Sequence, residues 1–326
     1  MRTLVSRRAL STVAVVTAAL TLTACGGSPD SGDSTAAISL QNCGRTVTLD
    51  GPAQRAVTLN QGATESALAM GAQEQMVGTA YLDDTIAPQW QDAYAQVPVL
   101  NESGYPSREA VLETKPDLVL ASYATAFDEK AAGSQDSLAD LGIASYVSPF
   151  ACADKSQRAP VSWESVQNEI ADYGRMFHSG DAARKNTELR SILEEIRWNK
   201  AGNGKSVFWY DSKTDTPYVG GNAGGPQLII DAVGATNVFA DLNGAWGAGS
   251  WETVLRADPD VIVLVDASWD TAESKKQFLK NDPALRDLAA VRDDAFVVIP
   301  FSEGTPGPRL IDGARSVAEQ LGGIRK

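Results

Sequence analysis

The sequence predicts an α/β protein of two lobes, each built on a parallel sheet, with one long backbone helix joining them. Three observations carry this expectation. From Arg45 onward, short apolar β-rich runs alternate with helical patterns, the signature of strands that pair in parallel. Residues 161–200 carry no strand signal and keep helical spacing throughout. A segment of the first half recurs without gaps in the second half, which points to duplication of a lobe.

The elements follow in chain order. Arg2, Arg7 and Arg8 precede Ala9–Leu22, an apolar run interrupted only by Ser and Thr, so residues 1–24 read as a secretory signal. It ends in Leu22-Thr23-Ala24-Cys25-Gly26, the lipobox pattern of bacterial lipoproteins, in which Cys25 receives a diacylglyceryl group and an acyl anchor of the palmitate type. Residues 25–37, rich in Gly, Ser and Asp, form the flexible tether that a lipid-anchored domain needs. The anchor places the chain on the extracytoplasmic face of the cell membrane. Disulfides persist in that compartment, and Cys43 and Cys152 are expected to pair.

The first lobe, residues 38–178, contains candidate strands Ala56–Leu59, Val77–Thr79, Leu118–Ala121 and Ala144–Val147. A connecting segment is expected over 179–202, its helix running over 181–200 with Leu189, Ile192, Leu193 and Ile196 on one face. At 1.5 Å per residue it reaches about 30 Å, enough to cross from one lobe to the other. Periodicity alone leaves open whether it does so or packs on one lobe. The second lobe, residues 203–326, opens with Ser206–Tyr210 and continues through Val261–Val265 and Ala295–Ile299.

The repeat aligns Ser107–Leu120 with Ser250–Val263 under the pattern S-x-E-x-V-L-x-x-x-P-D, followed by apolar residues. Ser caps a short helix, Glu109 or Glu252 sits in its first turn, and Val and Leu face the core. Pro-Asp then breaks the helix before a buried strand.

Charge and composition narrow the function. The chain has 28 Lys+Arg against 41 Asp+Glu. Loss of residues 1–24 removes three Arg and no acid, which leaves 25 basic and 41 acidic side chains. With no basic run after residue 8, nucleic acid is excluded as a partner. One histidine, His178, supplies no material for a Ser-His-Asp triad or a multi-His metal site. Gly202-Asn203-Gly204-Lys205-Ser206 ends like a phosphate-binding loop, but Asn199 stands where the leading Gly belongs and the order is helix, loop, strand. The chain is read as a non-enzyme with neither a cofactor nor a resident metal.

Aromatic residues fall after the candidate strands, where open parallel sheets bind ligands. They are Tyr81, Tyr123 and Phe150 in the first lobe, and Trp209, Tyr210, Trp269 and Phe301 in the second. Tyr218 and Trp246 lie on Gly-rich loops, and Arg309 follows the last strand. From these, Tyr81, Tyr123, Trp209, Tyr218, Trp246, Trp269 and Arg309 are the candidate ligand contacts, with Arg309 suited to an anionic or chelate ligand.

Lipobox, lobes, connecting helix and repeated motif together resemble the substrate-binding lipoproteins of ABC importers for ferric siderophores, haem and cobalamin, the class III or helical-backbone periplasmic binding proteins. The resemblance covers residues 38–326. Gly62–Gly71 is similar to that family's first helix, while Lys115-Pro116-Asp117-Leu118-Val119 and Pro259-Asp260-Val261-Ile262 match its repeated signature.

The resemblance implies two Rossmann-like lobes, an iron chelate bound between them, and docking of Glu109 and Glu252 onto a permease dimer. It also implies a ferric siderophore, foremost a hydroxamate, ahead of haem and cobalamin. Free metal is disfavoured because family members that bind it use His clusters. The cysteine pair resembles a subgroup of actinobacterial iron-uptake lipoproteins. A monomer is expected, and a cell-envelope interaction or signalling lipoprotein on the same scaffold is the competing reading. Replacing Cys25 by Ala should move the expressed protein from the membrane to the aqueous fraction on detergent phase partition; a Cys25→Ala chain that stays in the detergent phase contradicts the lipid anchor.

Overall fold

The computed structural model describes residues 36–324; the secretory segment, Cys25 and the tether through residue 35 lie outside them. The chain enters through an antiparallel hairpin, β1 (Ile38–Asn42) and β2 (Arg45–Leu49). Its turn residues Cys43 and Gly44 have φ of 50° and 77°, the left-handed geometry of a two-residue hairpin loop. Cys43 is disulfide-bonded to Cys152, 109 residues away.

A parallel sheet follows, alternating with helices as the sequence predicts. Its elements are β3 (Ala56–Leu59), α1 (Gln61–Ala69), β4 (Met76–Ala80), α2 (Gln91–Tyr94), β5 (Val99–Asn101), α3 (Arg108–Glu113), β6 (Leu118–Ala121), α4 (Gln135–Ala139) and β7 (Ala144–Val147). Strand order is β5-β4-β3-β6-β7. The hairpin covers the outer edge of β7: Asn42 Nδ2 donates to the Val147 carbonyl (2.7 Å), and the Val147 N–H donates to Asn42 Oδ1 (2.9 Å). A side-chain amide thus stands in for a further strand at an otherwise open edge.

Two helices, α5 (Trp163–Met176) and α6 (Asp181–Asn199), lead to the second half. That half contains β8 (Ser206–Ser212), β9 (Tyr218–Gly220), α7 (Gly225–Val233), β10 (Thr236–Asn237), β11 (Trp246–Ala248), α8 (Trp251–Ala257), β12 (Val261–Asp266), α9 (Ala272–Asn281), α10 (Ala289–Arg292), β13 (Phe296–Pro300), α11 (Phe301–Gly304) and α12 (Leu310–Gly323). The strand order is β11-β9-β8-β12-β13, with β10 also on β8. This sheet is mixed rather than parallel, because β9 runs antiparallel to both β8 and β11. The reversal at 213–217 and the Gly-rich segment after Gly220 are short enough to fold back, whereas a parallel return needs a crossover helix.

The duplicated motif occupies the same place in both sheets. The hydroxyls of Ser107 and Ser250 accept from the N–H groups of Ala110 and Thr253, capping α3 and α8. Val111 and Val254 are fully buried. The motif Asp then ties the incoming strand to its neighbour: Asp117 accepts from the N–H groups of Gln54 (2.7 Å) and Arg55 (3.1 Å) ahead of β3, and Asp260 accepts from the Ser206 N–H (2.7 Å) at the start of β8. The β3-β6-β7 and β8-β12-β13 ladders match strand for strand.

Alternation along the strands divides the interior into three cores. Leu118 and Leu120 of β6, Val207 and Trp209 of β8, and Val261, Val263 and Val265 of β12 join α1, α5, α6, α7 and α12 in one continuous apolar layer. Val57, Leu59, Val119 and Ala121 face a separate core beyond the first sheet, and Phe208, Tyr210, Ile262 and Leu264 face another beyond the second. Helix α6 packs against α1 and α5 on one side and against α7 and α12 on the other, through buried Leu189, Leu193 and Ile196. The α5–α6 approach requires Gly174, since a Cβ there would lie 2.4 Å from that of Ala182.

The disulfide ties the hairpin turn to the segment after β7, a long closure of the unfolded chain. Replacing both Cys43 and Cys152 by Ala should lower unfolding free energy by about 2–5 kcal/mol in a denaturant titration; an unchanged midpoint would show that the hairpin is held without it.

Candidate functional site

Each parallel strand ends in a loop or helix N-terminus whose backbone N–H groups and short polar side chains are free to face a ligand. A cavity of about 110 Å³ lies among such segments from both halves. The first half contributes Gln61, Gly62, Ala63 and Ser66 from α1, Asp83 after β4, Ser122 and Tyr123 after β6, and Ser148, Phe150 and Ala151 after β7. Glu169 and Tyr173 of α5 form another part of its lining. The second half contributes Ala245 and Trp246 at β11, then Phe301, Ser302 and the Thr305–Gly307 segment after β13. A second cavity, of about 490 Å³, shares Asp83 with the first and is lined by Asp84, Asp266 and Arg309 among others.

The wall between the halves is an ionic network. Arg309 is 6% exposed. Its Nη1 donates to Ser302 Oγ (2.6 Å) and lies 3.5 Å from Glu65 Oε1 and 3.7 Å from Asp84 Oδ1, and its Nη2 donates to Glu303 Oε1 (2.7 Å). The Ser302 N–H and hydroxyl both donate to Asp84, at 2.9 and 3.1 Å. Because Glu65 and Asp84 belong to the first half and Arg309, Ser302 and Glu303 to the second, the network crosslinks the cleft floor.

One guanidinium serves three carboxylates here, so burial outweighs it. Burial pushes Glu65 up to about 7 against the opposing pull of Arg309. Glu303 and Asp84 are raised for the same reason. In the first cavity, burial lifts Asp83 to about 6, with Asp84 adding repulsion, and lifts Glu169 to about 7, with the Ser148 hydroxyl opposing. The described residues contain no cluster of three or more His, Cys, Asp or Glu suited to a metal.

The residues singled out from sequence divide sharply. Tyr123 and Trp246 line the first cavity, and so do Phe150 and Phe301, which follow β7 and β13. Trp209 does not: β8 runs on to Ser212, so Trp209 sits mid-strand and wholly buried in the central core, and Tyr210 points into the core on the opposite face. Tyr81 adopts φ of 61° and packs edge-on against Tyr105, 5.1 Å between centroids, away from the cavity lining. Tyr218 sits in β9 with the Lys213 ammonium over its ring. Trp269 is 56% exposed and stacks edge-on against Phe301, next to the cavity rather than in it.

Arg309 needs a correction. Its charge is already engaged by Glu65, Glu303 and Asp84, so it is a crosslink and not a free anion receptor. Sequence reading missed Asp83 and Glu169; Asp83 lies in the loop three residues after β4 ends at Ala80, but Glu169 lies inside a helix whose spacing signals only a core face. Glu109 and Glu252 are exposed in the first turns of α3 and α8.

Comparison with known proteins agrees with this architecture. A family model described as periplasmic binding protein matches residues 57–303. The uncharacterized ABC transporter substrate-binding lipoprotein YvrC of Bacillus subtilis is 25% identical over 325 residues, 97% of this chain and 97% of its own. The vitamin B12-binding protein of Pectobacterium carotovorum is 26% identical over 274 residues, covering 82% of this chain and 88% of its own. A crystal structure of an ABC-type Fe3+-hydroxamate transport system from Saccharomonospora viridis superposes with a TM-score of 0.71 at 26% identity, over 87% of this chain and 99% of that one.

The raised carboxylates set a pH dependence. Glu65, Asp83 and Glu169 hold their protons more tightly folded than unfolded, so their contribution to stability is complete below the ordinary carboxylate range and is lost as pH rises through about 6 to 7. The melting temperature should therefore fall between about pH 5 and about pH 8, and Glu169→Gln should flatten that fall. A melting temperature that rises over the same interval contradicts the assignment.

Proposed function

The chain belongs to the periplasmic binding protein family, and on that premise we propose that it is the lipid-anchored capture protein of an ABC importer, holding a ferric siderophore of hydroxamate type between its two halves. The observation that carries this reading is the cavity itself. Aromatic rings from both halves, Tyr123 and Phe150 opposite Trp246 and Phe301, surround short hydroxyl and amide groups, a lining that suits a chelate whose metal is already wrapped by its own donors. The likeness to the hydroxamate transport structure supports the same choice. The vitamin B12-binding relative favours cobalamin as the second reading.

The enclosed space of about 110 Å³ is smaller than the body of a chelate. Capture therefore widens the cleft, the Trp246 and Thr305–Gly307 segments parting from α1 and the loop after β6. Helix α6 packs on both halves, so the opening is small. Delivery follows from the duplication: Glu109 and Glu252 occupy equivalent exposed helix starts, one per half, and a pair of like carboxylates on pseudo-symmetric supports suits basic groups on a two-fold permease.

Intrinsic tryptophan fluorescence of the domain from residue 36 should quench saturably with a ferric hydroxamate, and Trp246→Phe should remove most of the quench. Saturation by cobalamin alone transfers the assignment to the second reading, and no response to hydroxamate, haem or cobalamin rejects capture. In cells, reversing Glu109 and Glu252 to Lys should abolish uptake while affinity of the purified domain is kept; undiminished uptake contradicts delivery to a permease.

A further inference from the structure

We infer that the cleft selects a ferric hydroxamate bearing a free protonated amine, and that Asp83 and Glu169 are the residues that select it. The inference rests on the chelate reading above and adds the charge of the cargo. It follows from which charges face the cavity and which are already spent.

The charged residues lining the first cavity are Asp83 and Glu169; Lys, Arg and His are missing from its lining. Both are buried, at 9% and 4% exposed, and neither takes part in an ion pair among the described residues. The adjoining cavity adds Asp84 and Asp266, and its one Arg, Arg309, is held by Glu65, Glu303 and Asp84. Glu65 and Asp84 lie 3.5 and 3.7 Å from the Arg309 guanidinium, whereas Asp83 and Glu169 have hydrogen-bond donors only, from the Gln61 backbone and the Ser148 hydroxyl. Asp83 and Glu169 are left with a carboxylate apiece and no cation.

Buried charge without a partner is costly, and a ligand that supplies the opposite charge recovers that cost on binding. The ligand classes differ in this respect. A ferric tris-catecholate is an anion and haem presents propionate carboxylates, so both bring like charge to an acidic site. A ferric tris-hydroxamate core is neutral, and its net charge is set by its pendant groups. Beside a chelate seated in the widened cleft, an alkylammonium arm is small enough to reach Asp83 and Glu169, and Tyr123, Phe150, Trp246 and Phe301 add ring faces that attract a cation. Burial has lifted both carboxylates toward neutrality, and a cation brought alongside them would favour their charged forms. The excess of 41 acidic over 28 basic side chains also favours the approach of a cationic chelate.

The test compares two probes with the same hydroxamate core: ferrioxamine B, whose terminal amine is protonated, and its N-acetylated derivative, which is neutral. Calorimetric titration of the domain from residue 36 should show affinity at least about tenfold higher for the amine form. Asp83→Asn and Glu169→Gln, near-isosteric changes, should shrink that ratio, and a ratio kept at the wild-type value in both variants overturns their assignment. A wild-type far-UV circular dichroism spectrum shows that a variant has folded, and the wild-type ratio decides the question should either variant fail. Equal affinity of the wild-type domain for both probes overturns the inference and leaves the chelate reading standing. No binding of either probe overturns the hydroxamate reading beneath it.

Discussion

The helical layer shared by the two sheets is the constraint on which the rest of the molecule depends. Leu189, Leu193 and Ile196 of α6 are buried in the same apolar core that receives Leu118 and Leu120 from the first sheet and Val207, Trp209 and Val263 from the second. Truncating one such leucine to Ala typically costs about 2–5 kcal/mol, since a close-packed interior does not collapse to fill the void. Neither half can therefore swing away without opening this core, and Gly174 shows how little room separates α5 from α6. The proposed capture role therefore works through small displacements at the cleft and not through wide hinge closure.

Electrostatics complete what packing begins. The packed helices hold the halves together on one side, and the Arg309 network holds them at the cleft floor, with Ser302 and Asp84 joined across the boundary. That network consumes the cation that a binding site would otherwise present. The remaining charge on the cavity is carboxylate, supplied by one residue after β4 and one inside α5. The same arrangement explains the raised carboxylates and is the basis of the proposed selection for a cationic cargo.

Duplication accounts for the outward face. In each half, a capping Ser, a first-turn Glu, a buried Val and a Pro-Asp break recur, and the Asp bonds the backbone ahead of the neighbouring strand. One solution to strand registry, used twice, leaves two equivalent glutamates exposed. The second half departs from the first where β9 and β11 add antiparallel strands, and this departure brings Trp246 to the cavity.

Local pattern was enough for much of this. The strands Ala56–Leu59, Leu118–Ala121 and Ala144–Val147 coincide with their observed bounds, because period and turn residues act over a few positions. The Pro-Asp motif and the helix over 181–199 were legible for the same reason. The cleft was legible only in outline. Tyr123 and Trp246 reach it, yet Trp209 lies mid-strand because β8 extends two residues past its apolar run, and Arg309 meets acids that sit 244 and 225 residues earlier as well as its neighbour Glu303. Sequence by itself determined the elements, their alternation and their repeat, which depend on neighbours in the chain. Tertiary structure alone decided which charges were neutralised and which faced the cavity, because a side chain's partner across a cleft is set by the packing of distant segments.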